Sequence, residues 1–133
     1  MRYPALVAIV DDDEQLLHSV SGLLRSFGIK ALLFPAAEEF LQAAPAPIDC
    51  VIADIHMPGM DGLTMLRKLR ERGDEVPVII LSALDPDTTR DRALASGADA
   101  YLSKPVDTDE LMNRMVQVVN ARNGWDVDQA ERP

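Results

Sequence analysis

The stretch Leu6–Asp13, LVAIVDDD, places five apolar residues directly before three consecutive acids. A short apolar run without polar alternation is typical of a parallel strand that helices cover on both faces. After the acids, apolar side chains recur at helical spacing, at Leu16, Leu17, Val20, Leu23, Leu24 and Phe27. Gly28 then supplies a helix stop. The sequence here predicts a strand, an acidic loop and an amphipathic helix.

Four further apolar runs alternate with segments of helical period. They are Ile29–Phe34, Cys50–Ala53, Val78–Leu81 and Ala100–Leu102. The first and last of the four carry or adjoin polar residues, which suits the outer positions of a sheet. This alternation predicts an α/β fold of five βα units around a five-stranded parallel sheet.

Helix boundaries in the second half carry their own signals. Asp85 and Pro86 resemble an N-cap followed by proline at the first helical position, and Gly97 closes that helix. Asp107 with Glu110 resembles a capping box, with Asp in place of the usual Ser or Thr. The last helix is expected to bury Leu111, Met115, Val118 and Val119.

Length and charge exclude several classes of protein. A chain of 133 residues has room for one domain with a proper core. Its 22 acids and 13 bases leave a net charge of −9, which argues against direct binding of nucleic acid because phosphate contacts need surplus Lys and Arg. We predict a domain over residues 1–122 and an acidic tail over 123–133, in which Trp125 packs loosely on the domain.

The cysteine content and hydropathy predict a location. Cys50 is the only cysteine, so no internal disulfide forms, and its apolar neighbours predict a small buried side chain. The apolar run Ala5–Val10 is far shorter than the ~20 residues of a membrane span, and acids interrupt it where a signal peptide would continue. A cytoplasmic protein without membrane contact is expected.

Chemically active side chains follow four of the predicted strands. They are Asp11-Asp12-Asp13-Glu14, Asp54, Ser82 and Lys104. Taken singly, each has an ordinary explanation as a helix cap, a turn residue or a solvated charge. Ligands of open parallel sheets, however, bind beyond the carboxyl ends of the strands, so these groups are expected to meet.

Together these groups describe phosphoryl transfer to a carboxylate. Carboxylates from neighbouring strand ends repel one another unless a cation lies between them. Oxygen ligands that leave positions open for water and phosphate suit Mg²⁺. A lysine ammonium and a serine hydroxyl can then contact phosphoryl oxygens.

Five ordered motifs resemble one known family, the receiver domains of two-component response regulators, which have the CheY-like fold. The resemblance covers about residues 5–120. The motifs are Val10-Asp11-Asp12, Asp54-Ile55-His56-Met57-Pro58-Gly59-Met60-Asp61-Gly62, Leu81-Ser82-Ala83, Gly97-Ala98-Asp99-Ala100-Tyr101 and Lys104-Pro105. The resemblance implies a doubly wound flavodoxin-like (βα)5 fold with strand order 2-1-3-4-5.

The resemblance also implies roles for the acids. Asp54 is expected to accept the phosphoryl group. Asp12, Asp54 and the backbone carbonyl of His56 are expected to bind Mg²⁺, with Asp11 acting through water. The side chain of His56 is expected to line the mouth of the site, while His18 is interpreted as an exposed residue of the first helix.

The remaining roles concern the switch and the partners. Lys104 is expected to contact the phosphoryl group, and its bond to Pro105 to be cis. Ser82 and Tyr101 are expected to form a switch pair that alters the surface of the fourth helix, fifth strand and fifth helix. The donor would be a sensor histidine kinase or a phosphotransfer protein, and the domain a phosphoacceptor rather than an enzyme. The output, the target and any phosphorylation-dependent homodimer remain open.

Three other classes compete with this interpretation. A flavodoxin-like cofactor binder needs a Gly, Ser and Thr loop after the first strand, where this chain has acids. A phosphohydrolase with an aspartyl nucleophile usually needs a second carboxylate where His56 stands, and a cap domain. A receiver-like module that binds without phosphorylation would not need the complete set of acids, hydroxyl and lysine. The basic run Arg67–Arg72 is interpreted as solvated charge at a helix end.

Overall fold

The computed structural model describes residues 3–43, 47–83 and 86–122, in which five strands alternate with five helices. The strands are β1 (Leu6–Val10), β2 (Lys30–Phe34), β3 (Cys50–Asp54), β4 (Val78–Ser82) and β5 (Ala100–Ser103). The helices are α1 (Glu14–Ser26), α2 (Ala37–Ala43), α3 (Gly62–Glu71), α4 (Pro86–Ala95) and α5 (Thr108–Arg122). The predicted α/β alternation is confirmed.

All strand pairs in the sheet are parallel, and the strand order is β2-β1-β3-β4-β5. This is the order that the family resemblance implied, with β2 and β5 at the two edges as their polar residues predicted. Because the order reverses beside β1, the ends of β1 and β3 lie next to each other at the switch point of the sheet.

Three strands extend one residue beyond their predicted ends, since Asp54, Ser82 and Ser103 are the last residues of β3, β4 and β5. Their backbones still pair, with Asp54 opposite Leu81 and Ser82 opposite Ser103. A polar side chain ends the apolar pattern of a strand but does not remove its backbone from the ladder. The reactive side chains are therefore held on the sheet itself.

The core has one layer on each face of the sheet. One layer packs α1 and α5 against side chains such as Val7, Ile9 and Ile52, and the other packs α2, α3 and Ala93 of α4 against Ala8, Val51 and Ile80 among others. Every residue of β3 and β4 is buried, which explains their unbroken apolar runs. Buried residues of α5 include the predicted set, Leu111, Met115, Val118 and Val119.

Most predicted helix ends are confirmed. Asp13 caps α1 by accepting from Gln15 N and Leu16 N, and Asp107 accepts from Glu110 N at 3.0 Å at the start of α5. Gly28 and Gly97 have positive φ just after α1 and α4. The predicted N-cap Asp85 lies outside the described residues.

Two predictions about surface residues are wrong. Phe27 was assigned to the apolar stripe of α1, but it follows the helix and is 47% exposed. The run Arg67–Arg72 is only partly solvated, because the half-buried side chain of Arg70 extends from α3 to the loops before β4 and β5, where it donates to the carbonyls of Asp74, Val76 and Gly97. His18 is exposed, as expected.

Within the described ranges, no helix combines the length and apolar character that crossing a bilayer requires. The predicted acidic tail, residues 123–133 with Trp125, lies outside the part of the chain that the structure describes, and the division into domain and tail stays a prediction.

Candidate functional site at the carboxyl ends of the strands

Three carboxylates meet where β1 and β3 end. Asp11 follows β1 directly, Asp12 is its neighbour, and Asp54 is the last residue of β3. Each offers an oxygen, and these oxygens lie within 4.8 Å of one another. Asp11 and Asp54 are buried, with 1% and 8% of their surface exposed, whereas Asp12 is exposed. The cluster therefore opens to solvent on the Asp12 side.

Lys104 brings a positive charge to this cluster from the loop after β5. Its Nζ lies 3.0 Å from Asp11 Oδ2 and 3.4 Å from Asp54 Oδ2. The backbone N–H of Lys104 donates to the Ser82 carbonyl at 2.9 Å, which ties the loop to the end of β4. The Lys104–Pro105 peptide bond is cis, as the family resemblance implied.

Backbone amides orient the two buried carboxylates. Asp11 Oδ1 accepts from Asp13 N at 2.9 Å, and Asp54 Oδ1 accepts from Ile55 N at 2.9 Å. In both residues Oδ1 is bound to the backbone, so Oδ2 is the oxygen that faces Lys104. This arrangement holds the carboxylates in place before any ligand arrives.

The pKa values follow from burial and charge. Burial raises the pKa of Asp54, and the charge of Asp11 raises it further, while Lys104 and the Ile55 amide oppose the shift without cancelling it. Burial lowers the pKa of Lys104, but its hydrogen bond to Asp11 and the charges of Asp54 and Asp11 outweigh burial and leave its pKa above the ordinary value. The site is therefore short of positive charge.

The donor set fits a magnesium ion. All three side chains present hard oxygen ligands, and one of them is exposed, which leaves room for water and a phosphate oxygen. Burial and the charge of Asp11 raise the pKa of Asp54, and a bound divalent cation would favour its charged form. The fold thus brings together the three carboxylates of the predicted Mg²⁺ site.

The other predicted site residues lie at different depths. Ser82 is fully buried at the end of β4, on the strand next to the one that carries Asp54. His56 is exposed in the loop that follows β3, beyond the carboxyl ends of the strands. Tyr101 lies within β5, 7% exposed, in the same core layer as Ala93 of α4.

Gly62 supports the site in a way that sequence reasoning did not identify. Its N–H donates to the Ile55 carbonyl at 2.8 Å, which closes the loop between β3 and α3. A Cβ at this position would overlap the backbone carbonyl of Asp54. Only glycine therefore allows α3 to begin this close to the strand that carries Asp54. The motif spacing from Asp54 to Gly62 was the available signal.

Comparison with known proteins agrees with this geometry. The family profile of the response regulator receiver domain matches residues 7–116. The response regulator MprA of Mycolicibacterium vanbaalenii is 38% identical over 114 residues. That match covers 84% of this chain and 49% of MprA, so the chain spans about half the length of this relative.

Solved structures give the same result. The receiver domain of the Francisella response regulator 1452 superposes with a TM-score of 0.84 at 32% identity, covering 89% of this chain and 98% of that one. A BeF3-activated DrrB receiver domain superposes with a TM-score of 0.80 at 30% identity, covering 89% of this chain and 99% of that one. The chain belongs to the response regulator receiver domain family, the signalling domains of two-component systems.

Proposed function

We propose that this domain accepts a phosphoryl group on Asp54 from a sensor histidine kinase or a phosphotransfer protein. The observation that carries the proposal is the pairing of Asp54 with Lys104 at 3.4 Å beside two further carboxylates. A lone strand-end aspartate would have no means of neutralising a phosphoryl group. Here Asp54 lies beside a lysine ammonium and belongs to a cluster of three carboxylates that could hold a metal ion.

Four groups of this chain would hold Mg²⁺. They are the side chains of Asp11, Asp12 and Asp54 and the backbone carbonyl of His56, with Asp11 acting through water. When bound, the ion supplies positive charge that offsets the carboxylates and the incoming phosphoryl oxygens. The exposure of Asp12 supports this role, because a ligand at the mouth leaves the site open to a donor.

The transfer step uses Asp54 and Lys104. A carboxylate oxygen of Asp54 attacks phosphorus in line, the bond from phosphorus to the donor's histidine nitrogen breaks, and the imidazole leaves with that electron pair. The Lys104 ammonium offsets charge on the phosphoryl oxygens. Positioning and electrostatics carry the rate. Water later attacks the acyl phosphate, which restores the Asp54 carboxylate and releases inorganic phosphate.

The switch connects this site to a surface. In the phosphorylated form the Ser82 hydroxyl donates to a phosphoryl oxygen, and Tyr101 fills the space that Ser82 leaves. The surface of α4, β5 and α5 then changes shape, and this surface meets the output, which is a further domain, a separate target or a second phosphorylated copy. Tyr101 and Ala93 of α4 belong to the same buried core layer, which supports a link between β5 and α4. We place this signalling in the cytoplasm, where a single buried cysteine suits reducing conditions.

Acetyl phosphate with Mg²⁺ tests the phosphoacceptor. Intact-mass analysis of the full chain should show one added phosphoryl group, and the addition should disappear in Asp54→Asn. Asp13→Asn is the matched control, because Asp13 lies in the same acidic loop but serves only as the N-cap of α1. Lys104→Met should slow the labelling by roughly 10²-fold or more, since one charge contact in the transition state is lost.

Two results would reject the assignment. One is an adduct of equal yield in Asp54→Asn, which would place the phosphoryl group elsewhere. The other is the absence of any adduct, together with no effect of beryllium fluoride and Mg²⁺ on amide spectra of α4 and β5. The second result would favour a module that binds partners without phosphorylation.

A further inference from the structure

A cavity of about 430 Å³ lies at the end of the sheet opposite to Asp54, between α1 and the edge strand β2. Its lining comprises residues 28–32 together with Leu6, Ser21 and Arg25. The residues that would carry the phosphorylation chemistry lie at the other ends of the strands. The cavity therefore needs a separate explanation.

The exposed edge of β2 borders this cavity. Lys30 N donates to the Ala5 carbonyl, and the Phe34 carbonyl accepts from Asp11 N, so residues 30, 32 and 34 turn their backbone groups towards β1. Successive residues of a strand present their N–H and C=O groups to opposite sides. Ala31 and Leu33 therefore direct theirs outwards, and no sixth strand pairs with them in the part of the chain that the structure describes.

The charge of the cavity is opposite to that of the protein. Arg25 and Lys30 line it and no acid does, although the chain has a net charge of −9. Asp49 directly precedes β3, and its carboxylate accepts from the backbone amides of Ala5 and Leu6, at 2.7 and 3.1 Å. The cavity thus has two basic residues in its lining and no acidic residue to neutralise them.

Apolar side chains complete this surface. The large hydrophobic side chains with substantial exposure in the described residues are Tyr3, Phe27, Leu32 and Leu94, and three of these four belong to this end of the molecule. The rings of Tyr3 and Phe27 lie 6.0 Å apart, and Leu32 lines the cavity. Clustered exposed apolar groups mark interaction sites more often than scattered ones do.

We propose that the groove formed by β2 and the end of α1 binds an acidic, extended segment of a partner protein, which adds to the sheet beside β2. The outward groups of Ala31 and Leu33 would pair with its backbone, and alternate apolar side chains would contact Leu32 and the cavity. Its carboxylates would face Arg25 and Lys30. A second copy of this chain is the less suitable occupant, because its own β2, KALLF, carries no acid to face these cations.

The test uses the full chain and two synthetic peptides. The probe is acetyl-Glu-Leu-Glu-Val-Glu-Leu-Glu-amide, and its control replaces every Glu by Lys. On ¹⁵N-labelled protein, the acidic peptide should produce saturable amide shifts confined to residues 25–34. The Ala31 and Leu33 amides should also become protected from hydrogen exchange, because they gain acceptors.

Three variants distinguish pairing from general attraction. Arg25→Glu combined with Lys30→Glu should weaken binding of the acidic peptide roughly tenfold or more. Ala31→Pro should do so as well, because it removes an outward N–H that the fold does not use. Arg67→Glu is the matched control, since Arg67 is an exposed cation on α3 at the other face of the sheet, and binding should not change. Circular dichroism confirms folding of each variant.

Several outcomes would overturn the proposal. Equal binding of the lysine peptide, or no saturable shifts with the acidic one, would remove the charge complementarity or the site. A dimer that Ala31→Pro abolishes would assign the groove to a second copy. If Asp126→Asn changed the amide shifts of the groove without any added peptide, the groove would be assigned to residues 123–133 of this chain. Binding of anionic phosphatidylglycerol vesicles without peptide binding would assign it to a lipid surface.

Discussion

The surroundings of Asp54 disfavour the charged form of its carboxyl group. Burial and the neighbouring Asp11 raise its pKa, and Lys104 counters them only in part. A group in this condition gains from any positive charge that arrives, which is the property that a metal-assisted phosphoacceptor needs. The sequence predicted that Asp54, Asp11 and Lys104 meet, because the carboxyl ends of parallel strands lie on the same side of the sheet. It did not predict which oxygen faces which partner.

Cys50 gives a residue-scale prediction. Its side chain is fully buried in β3, and burial raises the pKa of the thiol far above its ordinary value. Since the thiolate is the reactive form, a disulfide-exchange reagent should not modify the native chain but should modify it after unfolding in guanidinium. Exposed Ser26 provides the control, because Ser26→Cys should add one thiol that reacts at once. Rapid reaction of native Cys50 would contradict the burial described here.

At the scale of elements, two glycines should respond to alanine in opposite directions. Gly62→Ala places a Cβ against the Asp54 carbonyl and should lower the free energy of unfolding by about 1–3 kcal/mol. Gly22→Ala, in the exposed interior of α1 with no atom near the added Cβ, should raise it by about 0.5–1 kcal/mol. Urea denaturation measures both. Labelling by acetyl phosphate should fall only in Gly62→Ala, and equal effects of the two substitutions would refute the close approach.

Arg70 links two elements at the amino ends of the strands. It lies 3.1 Å from Asp99 Oδ2, which also accepts from Val78 N, and it donates to the Gly97 carbonyl just after α4. The contacts join the end of α3 to the loop before β5. From the sequence this arginine is predicted to be solvated, because a cation at a helix end has a sufficient local explanation. Its distant partners become neighbours only in the folded chain.

Substitution of Arg70 should therefore be costly. Arg70→Met removes the guanidinium donor from the carbonyls of Asp74, Val76 and Gly97 and one of the partners of the Asp99 carboxylate, and we expect a loss of about 2–3 kcal/mol in the free energy of unfolding. Arg67→Met, on the same helix, removes one exposed hydrogen bond to Thr64 and should change stability by less than about 0.5 kcal/mol. Thermal and urea unfolding measure the stability of both variants. Similar losses in the free energy of unfolding would show that the Arg70 contacts contribute little.

For the whole molecule, the acidic cluster predicts a link between Mg²⁺ and stability. A cation that binds only the folded chain stabilises it, by about 2.7 kcal/mol when its concentration is a hundred times Kd. Mg²⁺ should raise the Tm of the native chain above that in sodium chloride of equal ionic strength. Asp54→Asn should raise the Tm without Mg²⁺, because it removes a charge that burial and the neighbouring Asp11 disfavour, and should abolish most of the Mg²⁺ effect.

A control acid separates this effect from general screening of the net charge of −9. Asp109 is exposed in the first turn of α5 and does not belong to the cluster of Asp11, Asp12 and Asp54. Asp109→Asn should therefore keep the full Mg²⁺ effect. If Asp109→Asn and Asp54→Asn lost it equally, the ion would be acting on overall charge and not at the proposed site.

The sequence alone determined the order of elements, the parallel sheet, the two core faces and the strand ends that carry reactive groups. These follow from local periodicity and from the chemistry of residues close in the chain. Only the tertiary structure decided the pairing of Lys104 with Asp11, the approach of Gly62 to Asp54, the partial burial of Arg70 and the exposure of Phe27. The contacts of Lys104 and Arg70 join residues far apart in sequence, and the other two depend on where each helix begins or ends against the sheet, so all four exist only in the folded chain.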